Sequence, residues 1–555
     1  MQGEKPVQWF GPSELIRTGW QAFLSTTIGA FADRREMQAG IAPFSENGAL
    51  PYHDFRSQRD FDFIADTGEG WRPTFAIAEL AQRAVLKPSG VGDAQGLPRP
   101  KLVVFGGDLV YPTASAQEYE RRLRAPYKQA ADLHGLATAG PVNPTDPRAF
   151  AIPGNHDWYD GLAAFWSLFC RARFDALGRR VGGRRIGGCV TEQQRSYFAA
   201  RLAHDWWIWG VDAHLSGWLD QPQINYFADL AKEHLGRNAK LILCCAEPSW
   251  VYGAVDAESR FANLGYLLDR AIDAGADVRA VLTGDSHHYS HYVGRLRAAE
   301  SDHGTAACHF VTAGGGGAFT HPTHHLPEKI EIESASRWAA RLDVSLACAY
   351  PRKDQSYAAA FRNVWFPALN PQFVLLMTAV WLGLQTEGTK TATTVILVAG
   401  LIAFADVRSV DRFLQQWRGA PEWVARTAHL LLRSLVGGGH AFLHLLAGGA
   451  VVSLAHACWA ACLPDFGARL AAGALGGVLS SFGVGLYLLL ATTLFHRHQN
   501  EAFSALRLER WKNFLRVRVD SEDRATVSAL GLDSIPEDDQ VRGAEPHLIE
   551  PQFQI

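Results

Sequence analysis

The chain has 555 residues and a mass of 60.9 kDa, more than one hydrophobic core usually organises, so a single small domain is excluded. Hydrophobic residues make up 48% and charged residues 20%, with a net charge of −3, which excludes a disordered chain and any bulk attraction to nucleic acid. The mean hydropathy of −0.07 averages two unlike parts, a polar front and an apolar back that begins near residue 363.

Residues 1–57 read as an N-terminal extension. They open MQGEKPVQWF, with no apolar run before a small-residue cleavage site, so the front is expected in the cytoplasm. The eight cysteines lack the paired spacing of a structural zinc site and are expected as reduced thiols. From residue 60 to 315 the β-rich runs FDFIAD, KLVVFGGD, AFAIPGN, DWWIWGVD, KLILCCAE, VRAVLTGD and CHFVTAG alternate with helical patterns such as PTFAIAELAQRAVL. Several runs end on Gly, Asp or Asn, which place a side chain at the tip of a sheet. This predicts an α/β domain over residues 58–360 with one active edge.

The back half holds uncharged stretches at 363–386, 391–405, 434–464 and 470–496, against the ~20 helical residues a bilayer core needs. They predict an α-helical transmembrane bundle over 363–496, with four helices at about 366–386, 391–407, 440–463 and 470–495. Small residues in GALGGVLSSFGVG suit close helix contact. Arg352, Lys353 and Arg362 precede the first stretch, Arg408, Arg412, Arg418, Arg426 and Arg433 fill the middle loop, and Arg497 follows the last. The positive-inside rule then places the front domain and both termini on the cytoplasmic side of a multi-pass inner-membrane protein. In the tail, residues 497–555, the LRVRV alternation at 515–519 leaves two expectations open: pairing with the front domain's sheet, or an independent solvated tail.

Four strand-end motifs follow in order: IAD ending at Asp66, GGDLVYP with Asp108, PGNHDWYDG with Asn155, His156 and Asp157, and TGDSHHYSHY with Asp285 and His287. Singly, each Gly-Asp reads as a turn; the ordered set carries the information. It resembles the calcineurin-like metallophosphoesterase superfamily, in which Asp-x-His, Gly-Asp, Gly-Asn-His-Asp/Glu, a lone His and Gly-His-x-His assemble a two-metal centre. The resemblance covers roughly residues 58–325. It implies a four-layer α-β-β-α sandwich with two divalent cations at the sheet tips, hydrolysing a phosphomonoester or phosphodiester by metal-activated water. It also implies Asp66, Asp108 and His287 as ligands, with Asp108 bridging, and Asn155 as a neutral ligand. His156 matches the group that protonates the leaving oxygen or stabilises the transition state, and Asp157 is placed to orient that imidazole.

Three positions depart from the family pattern. Asp66-Thr67-Gly68 lacks the histidine, leaving Glu69 as the nearest donor; Glu247 in KLILCCAEPSW stands for the lone histidine; and Asp285 stands for the first histidine of the last motif. Such an oxygen-rich set favours Mn²⁺ or Mg²⁺ over Fe²⁺ and Zn²⁺. Trp158, Tyr159 and His288 are candidates for the substrate pocket, with ordinary packing as the alternative for each. The glycines at 314–317 lack the Lys-Ser/Thr context of a phosphate loop and predict a turn close beside the site. The expected function is a membrane-anchored dinuclear phosphoesterase acting on a phosphate ester, lipid-linked substrates included, with the lipid bilayer as partner and no nucleic acid. The alternative is a membrane sensor or scaffold that keeps the fold without turnover. Oligomeric state is open.

Overall fold

The computed structural model describes residues 4–27, 35, 52–90, 96–140, 142–170, 173–174, 180–213, 219–236, 239–255, 258–299, 304–333, 338–404, 422–536 and 544–555. Two compact units are present: Met1–Val7, Thr18–Ser356 and Arg507–Ile555 form the first, and Gln8–Arg17 and Tyr357–Leu506 the second.

The first unit holds two mixed sheets. One runs in the order His547–Leu548, Ala525–Ser534, Arg510–Val519, Asp60–Ile64, Leu102–Gly106, Arg148–Ile152, Cys189–Thr191, Arg185–Ile186. Its central strands Asp60–Ile64, Leu102–Gly106 and Arg148–Ile152 are parallel, as crossovers through helices Trp71–Gln82 and Ala125–Leu133 require. In the other sheet Trp206–Val211, Lys240–Cys245, Asp277–Thr283 and Gly304–Ala313 are parallel, and Tyr289–Arg297 and Arg341–Tyr350 close the far side antiparallel. The parallel strands are buried on both faces, which is why WWIWGV and LILCC read as continuous apolar runs and not as alternations.

Helices Trp71–Gln82 and Ala125–Leu133 bury their apolar stripes on the outer face of the first sheet, and Gln221–His234 and Ala262–Asp273 do so on the second. Phe150 meets Phe198 at 4.7 Å between the inner faces. The layers are therefore helix, sheet, sheet, helix.

The strand Arg510–Val519 pairs antiparallel with Asp60–Ile64, with Leu515 opposite Phe63 and Val517 opposite Phe61. On the other face Arg516 grips the buried Asp62 through two hydrogen bonds of 2.8 and 2.9 Å. Residues 507–555 thus belong to the front unit and are not a separate tail, and His53–Asp54 of the expected extension pairs with Phe198–Arg201. The physical reason is the second edge of Asp60–Ile64: its buried N–H and C=O groups need a partner, and Leu102–Gly106 serves only one edge.

The second unit contains the helices Pro371–Leu384, Glu387–Phe404, Glu422–Ala460 and Asp465–Leu494. Among the described residues two segments are long and apolar enough to cross a membrane, Gly437–Ala460 and Asp465–Leu494. A third is reached if Lys353–Leu369 and Pro371–Leu384, bent by 57°, count as one span. The four expected spans are not all met. Pro371 explains the bend, because it cannot donate into the helix and clashes with the preceding turn, and the Asn370 amide caps Phe366 O at 3.2 Å. The 391–407 stretch lies on Glu387–Phe404, and residues 405–407 with Arg408, Arg412 and Arg418 fall outside the described residues. Helices Pro371–Leu384 and Asp465–Leu494 approach closely at Gly477, where a Cβ would lie 2.2 Å from Thr378 Oγ1, and the Trp381 indole N–H donates to Ser480 Oγ at 2.8 Å.

Candidate metal centre

Each site residue sits just beyond the C-terminal end of a parallel strand: Asp66 after Asp60–Ile64, Asp108 after Leu102–Gly106, Asn155 and His156 after Arg148–Ile152, and Asp285 and His287 after Asp277–Thr283. Asp66, Asp108 and Asp285 all adopt left-handed backbone, with φ of 56°, 51° and 61°. Outside glycine that region is uncommon, and it recurs at the three strand ends that carry these carboxylates. Gly314 makes room for them, since a Cβ there would lie 2.5 Å from Asp66 Oδ2. The glycine run is thus a close-packed turn at the site.

Asp66, Asp108 and His287 offer ligand atoms all within 4.8 Å of one another. His287 donates from Nδ1 to Phe319 O at 2.8 Å, which leaves Nε2 as the basic nitrogen facing the carboxylates. The Tyr111 hydroxyl stands among them, 3.2 Å from Asp66 Oδ1, 3.2 Å from Asp108 Oδ2 and 2.9 Å from His287 Nε2. Burial, followed by the charges of Asp108 and Asp285, pushes the Asp66 carboxyl well above the usual range, and burial with Asp285 does the same to Asp108. Asp66 Oδ2 and Asn155 Oδ1 are buried without a hydrogen-bond partner among the described residues. Crowded carboxylates with orphaned oxygens are the donor set a hard divalent cation satisfies, so the residues present fit such an ion.

Asp285 lies beside this group. Its backbone N–H donates to Asp66 Oδ1 at 3.0 Å, and its carboxylate accepts from the Tyr252 hydroxyl. His156 donates its backbone N–H to Asp108 Oδ1 at 2.9 Å, while its Nδ1–H donates to Pro112 O at 2.7 Å. Its half-buried ring lies between Tyr111 and Tyr159, at 4.3 and 5.1 Å, and burial pushes its pKa down to about 4.

Several expected roles are not met. Asp157 does not orient the His156 imidazole. It sits at the third position of the short helix Asn155–Trp158, and its carboxylate reaches back to the Gly154 and Leu109 N–H groups and accepts from the Tyr119 hydroxyl, locking the two motif loops together. Glu69 accepts the Phe319 N–H at 2.9 Å and faces the buried Lys512, so it stands outside the metal group. Glu247 also stands outside it, paired with Arg260 at 3.3 Å, and burial raises it to about 7. Trp158 is packed in the core, donating to Asp212 Oδ1 at 3.0 Å under the Arg35 guanidinium. His288 is buried and does not join the group. Of the three pocket candidates, Tyr159 alone lies against His156.

Tyr111, Tyr252 and Lys512 complete the surroundings without having been anticipated. Tyr111 had a signal, three residues after Asp108 in the same motif; Lys512, whose ammonium donates to Ala318 O, comes from the distant strand Arg510–Val519 and had none.

Residues 60–289 match the family model Metallophos, calcineurin-like phosphoesterase. This stretch is a calcineurin-like phosphoesterase domain. A solved structure titled "Structure of PhoD" aligns with it at 12% identity and a TM-score of 0.29, over 47% of this chain and 58% of that one. No curated protein matches. The folded unit extends beyond the matched residues, because its first sheet is completed by Arg510–Val519 and Ala525–Ser534.

Proposed function

We propose that the chain is a membrane-anchored, metal-dependent phosphoesterase that hydrolyses a phosphomonoester or phosphodiester at the Asp66–Asp108–His287 group. The observation that carries this reading is the convergence of those three donors, with Asp285 beside them and the orphaned oxygens of Asp66 and Asn155. Asp66, Asp108, Asn155 and His287 would hold a divalent cation, and Asp285 would be a donor for a second. Bound divalent cations supply Lewis-acid charge for the phosphoryl oxygens and activate water, and the oxygen-rich donor set favours Mn²⁺.

The chain's own residues do the rest. The Asp108 carboxylate fixes the His156 backbone, and the Pro112 carbonyl fixes its tautomer, so Nε2 is the nitrogen that takes and returns a proton. A phosphate beside this imidazole raises its basicity toward neutral pH, which suits it to protonate a leaving oxygen. The apolar helices support a substrate held near a bilayer, a lipid-linked phosphate among them.

The test is metal content and turnover of p-nitrophenyl phosphate and bis-p-nitrophenyl phosphate, with Mn²⁺ added, on the full chain in detergent. Asp108→Asn is expected to lose metal and turnover together, and His156→Ala to lose turnover by ~10²–10⁴-fold while keeping metal. A folded chain that holds no metal and turns over neither ester is a sensor or scaffold instead.

A further inference from the structure

The strands that carry the metal-type group at one end border a cavity toward their other end. Its lining includes Arg99, Pro100, Asp146 and Pro147, which precede Leu102–Gly106 and Arg148–Ile152, and none of the metal group. Its volume is about 220 Å³, against the ~150 Å³ that suffices for benzene. Ile64, Val103, Phe105 and Ile186 give it apolar walls.

Two of its polar groups lack counterparts. Arg99 donates from Nη1 to Gln82 O at 3.2 Å, and among the described residues no carboxylate lies within ion-pair reach of it. Asp62, whose field reaches Arg99, is already held on both oxygens by Arg516. Tyr127 lines the cavity with 3% of its surface exposed, and its hydroxyl has no hydrogen-bond partner among the described residues. A buried hydroxyl left unbonded is costly and rare. The remaining polar side chains are occupied or neutral: the Asp146 carboxylate is paired with Arg185 at 2.6 Å and accepts the Asn143 N–H at 3.0 Å, the Gln82 amide donates to Ala78 O and Tyr127 O, and burial keeps the Cys189 thiol neutral by raising it to about 12.

We propose that this cavity binds a small organic anion, a carboxylate on an apolar body of about benzene size, with Arg99 and Tyr127 donating to the carboxylate. Nothing in this assignment depends on the phosphoesterase reading.

The test uses the full chain in detergent, with benzoate as probe and benzyl alcohol and acetate as controls, followed by titration calorimetry and thermal melting. Benzoate is expected to saturate at one per chain and to raise the melting temperature by ~2–4 °C at a hundredfold excess over its Kd. Tyr127→Phe, which removes one oxygen and keeps the ring packing, and Arg99→Gln are each expected to weaken benzoate at least ~10-fold. Absence of saturable benzoate binding overturns the proposal, as does binding that both variants retain. Benzyl alcohol binding as tightly as benzoate removes the anion from the assignment, and acetate binding as tightly removes the apolar body; either result overturns it.

Discussion

Tyr111 shows how much of this site rests on a single hydroxyl. It lies within 3.2 Å of Asp66 and Asp108 and 2.9 Å from His287, so its one proton is shared among three acceptors and its oxygen stands against all three ligand groups. Tyr111→Phe keeps the ring against His156 and removes only that contact. It is expected to weaken Mn²⁺ binding ~10–100-fold, read by equilibrium dialysis on the full chain; unchanged affinity would mean the phenol does not support the ligands. A second cluster carries a pH dependence. His291 Nε2 is 2.9 Å from His309 Nδ1, its Nδ1 is 2.9 Å from Glu550, Tyr289 donates to Glu550, and Phe553 stacks on both imidazoles. Burial, with His291 and Arg279 nearby, pushes His309 down to about 4. Its folded pKa is below its unfolded value of ~6.5, so the folded state binds fewer protons between the two, and stability is lost as pH falls through that window. The protection factors of residues 547–555, exchange rates taken relative to the intrinsic rate at each pH, should therefore fall from pH 7 to pH 5, and His309→Gln should flatten that change. At this scale the grouping of Asp66, Asp108 and His287 was legible through the ordered set of motifs and the family it resembles, since one such motif alone reads as a turn. Asp157, Glu69 and Glu247 were not, because a buried carboxylate goes to whichever N–H or cation stands nearest, and that neighbour comes from elsewhere in the chain.

The strand Arg510–Val519 lies between Ala525–Ser534 and Asp60–Ile64, and its Arg516–Asp62 pair is among the most buried ion pairs of the phosphoesterase domain. Burial would push the Asp62 carboxyl up, and Arg516 opposes that rise. Removing the arginine leaves a buried carboxylate without compensation, so Arg516→Ala is expected to destabilise the domain by ~3–5 kcal/mol. Replacing both partners at once, Asp62→Leu with Arg516→Met, should recover most of that loss. Thermal melting and limited proteolysis of the full chain read both variants, and equal losses in the single and double variants would show that packing, not charge, holds the strand. The strand character of LRVRV was visible in its alternation, but its partner was not, since alternation identifies a strand without saying which edge it joins.

For the molecule as a whole, the front domain is assembled from segments separated in sequence by the apolar helices. A chain ending at residue 356 lacks Arg510–Val519 and Ala525–Ser534 and exposes the buried edge of Asp60–Ile64. Such a fragment is expected to elute as aggregate in size exclusion and to be degraded within minutes by protease; a monodisperse, protease-resistant fragment that binds Mn²⁺ would show that the last strands are dispensable.

The sequence by itself determined the α/β character of the front, the apolar helices of the back and the strand-end motifs, because periodicity and turn chemistry are local properties. Only the tertiary structure decided which acids converge, that the last fifty residues complete the first sheet, and that Arg99 and Tyr127 share a cavity. Those outcomes depend on hydrogen bonds and charges between residues tens to hundreds of positions apart, a separation that no local pattern encodes.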